Sequence, residues 1–211
     1  MLVICLEGCH GAGKSQLIES FKSTYGEDTV LDEAFMDMES WALEPQTLTM
    51  ELRWVSQWFT RLLKLKEQLG DDAHKQIFFA DRSPYSAVFY SRTSQVNRDA
   101  LQTVIAGQID EIRTKSNIHV VTVHLSCEPD ALWARIQERL TREPFRRQYM
   151  EHKVEWMKQT LAWYTQFGEW DITIDNTTGT AGGVLVQLAG YLSKHNSLSR
   201  FSDSLTATAE V

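Results

Sequence analysis

Cysteine is scarce in this chain, with 3 in 211 residues, at positions 5, 9 and 127. So few and so scattered, Cys5, Cys9 and Cys127 exclude a disulfide framework or a cysteine-built zinc site. A reducing compartment, the cytoplasm, is the simplest setting. Long apolar runs are missing too. Leu2 to Leu6 is too short for a secretory signal or a membrane span, and no other stretch is longer, so no membrane partner is expected. There is no internal repeat. A basic excess is also absent. The formal net charge is -7, so the surface as a whole repels nucleic acid, which is not expected as a partner. A small anionic ligand must instead meet a local cationic cluster, and one lies between Arg135 and Arg147.

What is present is an ordinary globular balance, 43% hydrophobic and 23% charged. The length suits one large domain, or one domain with a tail. Leu2 to Leu6 reads as a strand buried on both faces. A glycine-rich turn leads into an amphipathic helix from about Lys14 to Tyr25, stopped by Gly26. Thr29 to Leu31 is a short strand, and Thr47 to Leu69 one long helix closed by Gly70. Gln76 to Ala80 is a strand ending at Asp81, and Asn97 to Lys115 a helix. Ile118 to Leu125 is a strand, and Pro129 opens a helix at the position that tolerates proline. After a break at Glu143 and Pro144, a helix is expected from Arg147 to Phe167. Ile172 to Ile174 is the last strand and Ala181 to Lys194 the last helix. Ser197 to Val211, rich in Ser, Thr and Ala, is expected to be a disordered tail, which leaves residues 1–196 as the domain. The alternation predicts an α/β fold with a parallel sheet of about five strands and helices on both faces. Ligands then bind at the carboxyl ends of the strands.

Gly8-Cys9-His10-Gly11-Ala12-Gly13-Lys14-Ser15 fits G-x-x-x-x-G-K-[ST] between a strand and a helix. The glycines let successive backbone N–H groups turn inward onto phosphate oxygens, and the helix N-terminus adds positive potential. Lys14 is expected on the β- and γ-phosphates of ATP and the Ser15 hydroxyl on Mg2+. Gly8, His10, Gly11, Ala12 and Gly13 complete the cofactor-binding set. A switch GTPase would need Asn-Lys-x-Asp and Asp-x-x-Gly, and an adenylate kinase Asp-Gly-Phe-Pro-Arg. None occurs. Asp81-Arg82-Ser83-Pro84-Tyr85-Ser86 follows the third strand instead. The Asp81 carboxylate can hold magnesium through water, and Arg82 the acceptor oxygen or the transferred group.

Asp81 to Ser86 resembles the Glu/Asp-Arg-Ser motif of the deoxynucleoside kinases and the Asp-Arg-His of herpesviral thymidine kinases, whose P-loop spelling GCHGAGKS also approaches. These P-loop kinases are related to thymidylate kinase. Gln57-Trp58-Phe59, with Leu62 and Lys66 to Leu69, is similar to the helix carrying the family's base-reading glutamine, and a glutamine amide can both donate and accept. Arg135 to Glu143 resembles the family's arginine-rich lid. Arg135 and Arg139 share one helix face and would close over ATP. Thr141 stands where the lid's next arginine is expected, with Arg142 one place late. Pro144 stands where the family's sugar-binding glutamate is expected, with Glu143 as the substitute.

The resemblance implies a carboxylate base just past the second strand, Glu33 or alternatively Asp32, to take the proton of a nucleoside 5′-hydroxyl. It implies phosphorylation of a deoxynucleoside, thymidine or another pyrimidine. Ala87 stands where deoxycytidine-specific members carry aspartate, and Lys64 where they carry arginine. Phe89 or Tyr90 would stack on the base. Two other readings stay open. One is a thymidylate kinase, whose acceptor phosphate Arg146 and Arg147 would meet. The other is an ATP-binding switch without small-molecule turnover. A homodimer is also left open.

Overall fold

The computed structural model describes residues 1–31, 48–91 and 94–209. Asp32 and Glu33 lie outside the described residues. Five strands form one parallel sheet flanked by helices, in the order β2-β3-β1-β4-β5. They are β1 Leu2–Glu7, β2 Val30–Leu31, β3 Ile77–Asp81, β4 His119–Ser126 and β5 Ile172–Asp175. Every residue of β1 is buried, as its unbroken apolar spelling requires of a central parallel strand. At the two edges, Val30 pairs with Phe79 and Leu31 with Ala80, while Val123 to Ser126 pair with Ile172 to Asp175.

The chain separates into two compact units, each drawing on part of the sheet. The first comprises Met1–Cys5 and Glu27–Val121. Its helices are α2 (Leu48–Leu69), α3 (Ser86–Tyr90) and α4 (Gln95–Ser116), which pack on one another. α2 buries Val55, Trp58, Phe59 and Leu62, an i, i+3, i+4, i+7 stripe. α4 starts where the Ser94 hydroxyl accepts from the Asn97 N–H, and it ends where Asn117 turns left-handed at φ 50°.

The second unit comprises Leu6–Gly26 and Thr122–Val211. It carries α1 (Lys14–Tyr25), α5 (Pro129–Arg142), α6 (Val154–Phe167), α7 (Ala181–Ser193) and α8 (Ser202–Ala209). Leu132, Ile136 and Leu140 of α5 are buried, and α5 packs on α6.

Two expectations are corrected here. The helix expected from Arg147 begins only at Val154. Pro144–Tyr149 is a 3-10 turn, and Met150 takes a left-handed φ of 61°. Ion pairs from Arg146 to Glu143 and Glu151 fold this stretch into a turn that a continuous helix would pull apart. The segment expected to be disordered carries a turn, Ser199–Phe201, followed by α8, and packs on α7. Leu198, Phe201 and Leu205 are all buried. Their i, i+3, i+7 spacing supplies the apolar face that the Ser- and Thr-rich composition conceals. Among the described residues, no helix is long and apolar enough to cross a membrane.

Candidate nucleotide site

The Gly8–Ser15 loop joins β1 to α1 within the second unit. Gly8 has φ 141°, and a Cβ there would lie 2.7 Å from the Leu125 carbonyl oxygen, so only glycine lets the loop pass this close to β4. Gly13, at φ 99°, forms the N-cap of α1 and has no side chain with which to cap it. The N–H groups of a helix's first turn, with the helix dipole, favour an anion at this end. The Lys14 ammonium is only 6% exposed and donates to the carbonyls of Gly8 at 2.7 Å and Cys9 at 3.0 Å. The loop thus folds around its own cation. His10 is buried, its ring 3.6 Å from the Cys9 thiol. The Ser15 side chain is exposed.

Beneath the loop lies a polar stack that sequence reasoning missed. Glu7 is fully buried and accepts a hydrogen bond from the Tyr164 hydroxyl at 2.9 Å. The His124 ring stacks on Tyr164, with centroids 5.7 Å apart and planes 12° apart. Burial, and secondarily the Lys14 charge, lower the His124 pKa from 6.5 to about 4. The ring is therefore neutral at physiological pH.

Asn176, also missed, follows β5. Its side-chain amide donates to the Ala12 carbonyl at 2.8 Å, and its backbone N–H donates to Ser126 at 2.9 Å. Arg135, expected on ATP, donates to the carbonyls of Asn176 (3.0 Å) and Thr177 (2.7 Å). Arg139 pairs with Glu151 at 2.5 Å. Arg146 reaches the same carboxylate at 3.4 Å and also pairs with Glu143. The Glu143 carboxyl is held below the usual range, chiefly by the hydrogen bond from Arg146. The arginine spacing was legible in the sequence. The carboxylate that collects two of the arginines, on the far side of the Pro144 turn, was not.

In the first unit, β3 ends at Asp81. The Oδ1 atom of Asp81 is buried and has no hydrogen-bond partner among the described residues. Arg82 has φ 79°, unusual for a bulky residue, and its guanidinium lies 5.2 Å from the Tyr90 ring centroid. Phe89 packs edge-on against Tyr90 at 4.8 Å. The Ser83 hydroxyl accepts from the Tyr85 N–H at 3.2 Å, fixing the turn into α3. Gln57 is half-buried on α2 and Ala87 buried on α3, and these two helices are in contact. Lys64 is exposed. Magnesium typically takes one or two side chains together with phosphates rather than a protein cage. The exposed Ser15 hydroxyl is a donor of that kind, and no cluster of three or more metal-ligating side chains occurs among the described residues.

Residues 3–168 match the family model described as an AAA domain. The chain belongs to the AAA domain family. It is a P-loop nucleotide-binding domain, and the matched span takes in the loop, Asp81, Arg82 and the whole of α5. Asn176 lies beyond it. No curated protein matches the chain. Among solved structures, an uncharacterized protein from Eubacterium ventriosum is similar at 11% identity, over 92% of this chain and 99% of that one, with a TM-score of 0.48. A thymidylate kinase from Ehrlichia chaffeensis is similar at 18% identity, over 68% and 82%, with a TM-score of 0.38.

Proposed function

We propose that the protein transfers the γ-phosphoryl group of ATP to the 5′-hydroxyl of a pyrimidine deoxynucleoside, thymidine best. The observation that carries this reading is the end of β3, where an unpartnered buried carboxylate oxygen precedes an arginine held at positive φ. A strained, aromatic-braced arginine beside such a carboxylate suits a site that must orient an acceptor and a metal-bound phosphate. In this reading Lys14 exchanges its loop carbonyls for phosphate oxygens, and Ser15 and Asp81 would hold magnesium, which would supply screening of the phosphate charge. Glu33, or Asp32, takes the hydroxyl proton. The 5′-oxygen forms its bond to phosphorus, the bond to the bridging oxygen breaks, and ADP leaves. Gln57 reads the pyrimidine edge, Ala87 leaves room for a 5-methyl group, and Glu143 serves the sugar.

A monophosphate acceptor would need an open cationic pocket. Arg146 is already paired with two carboxylates, which favours the nucleoside. The test is turnover with magnesium and ATP against thymidine, deoxycytidine, thymidine monophosphate and no acceptor. Thymidine should lead and deoxycytidine follow by about 10- to 200-fold, with Lys14→Ala slower by about 10²-fold or more. If the monophosphate leads, the acceptor is a nucleotide. Hydrolysis indifferent to every acceptor would favour the switch reading instead.

A further inference from the structure

A P-loop works only if its peptide planes face the right way. In a trans peptide the C=O and N–H point in opposite directions, so whatever anchors a carbonyl on one side aims the next N–H to the other. The plane between Ala12 and Gly13 is the last before α1 and joins two residues with small or no side chains, so no bulk resists its rotation. A flip would turn a carbonyl toward the phosphates and cost an N–H donor at once.

Asn176 is built to prevent this flip. Its amide nitrogen lies 2.8 Å from the Ala12 oxygen, and since a carbonyl only accepts, the amide must present its donor there. The side chain is 6% exposed. Two glycines make the space it fills, because a Cβ on Gly13 would lie 2.5 Å from its amide nitrogen and one on Gly179 2.4 Å from its amide oxygen. Its backbone is tied down twice, by its own N–H to Ser126 and by Arg135 on its carbonyl. We infer that Asn176 is a positioning residue of the nucleotide site, holding the Ala12 carbonyl outward so that the Gly13 N–H faces bound phosphate, with Arg135 securing it from α5. This rests on the nucleotide-binding reading and concerns binding alone, so the probe is ADP with magnesium.

Asn176→Asp keeps the shape and replaces the donor by an acceptor. The expected result is a Kd for magnesium ADP at least ~10-fold weaker, the order of one lost hydrogen bond. The downfield shift of the Gly13 amide proton on adding nucleotide should shrink with it, a signature that a general loss of stability would not give. Asn176→Ala, which removes the donor without adding charge, should behave alike. In the wild type, the Asn176 side-chain protons should exchange slowly with solvent. This last measurement decides the matter even where neither variant folds, since a fast-exchanging side-chain amide overturns the inference. Wild-type affinity and a wild-type Gly13 shift in folded Asn176→Asp would overturn it alone. A wild type that binds no magnesium ADP would overturn the nucleotide reading with it.

Discussion

At the scale of single residues, the second unit places a neutral imidazole where an ammonium already sits. Among the described residues His124 faces Lys14 on α1, Tyr164 on α6 and the Trp170 ring. Because its pKa is about 4 in the folded protein and 6.5 ordinarily, the unfolded chain takes up this proton first as pH falls. The stabilisation is complete above about pH 6.5 and is lost as pH drops toward 4, amounting to about 3 kcal/mol. His124→Phe keeps an aromatic ring on Tyr164 and removes the proton. Its thermal midpoint should therefore fall less between pH 6.5 and 4.5 than the wild type's. Parallel curves would show that His124 does not titrate in this window. Residues of this kind mark what a sequence can and cannot show. Gly8, Gly13, Lys14 and Ser15 announce themselves because they act within one local turn. Asn176 reaches that turn and Tyr164 the end of the strand before it, from 164 and 157 residues away, and nothing in their own neighbourhoods declares it.

At the scale of elements, α5 and the turn after it form one electrostatic unit. The Glu151 side chain is 8% exposed and holds Arg139 and Arg146, so at rest Arg139 answers a carboxylate rather than a phosphate. Glu151→Gln should lower stability by about 2–3 kcal/mol, because it leaves partly buried arginines uncompensated. It should also tighten magnesium ATP binding, because Arg139 no longer has a competing anion. Calorimetric melting and titration separate the two effects. Destabilisation with unchanged affinity would mean that Arg139 never reaches the nucleotide. The elements themselves were largely legible, since strands spelled as apolar runs and helices with 3.6-residue stripes obey local rules. The failures lie where tertiary contacts override composition. The ion pairs of Arg146 hold a turn where the helix was expected to begin at Arg147, and the burial of Phe201 and Leu205 orders a stretch whose Ser and Thr content argued against order.

At the scale of the whole chain, alternating strands and helices dictate a parallel sheet, yet not the order β2-β3-β1-β4-β5, which depends on which crossover passes which strand. The phosphate loop belongs to the second compact unit, and Asp81 with Arg82 to the first. A ligand that binds only the folded state at 100 times its Kd adds about 2.7 kcal/mol. In a chain of this size that should raise the thermal midpoint by about 5–10 °C. Hydrogen exchange then shows where the stabilisation is felt. With magnesium ADP, protection should rise across Gly8–Ser15. With magnesium and a non-hydrolysable ATP analogue, it should rise also at Asp81–Ser83, because the carboxylate and Arg82 are proposed to answer the metal and the terminal phosphoryl group. In Asp81→Asn, the protection at Gly8–Ser15 should survive while the increment at Asp81–Ser83 is lost. Protection confined to Gly8–Ser15 with both ligands would remove Asp81 and Arg82 from the phosphoryl-transfer reading and leave a nucleotide-binding loop whose chemistry lies elsewhere.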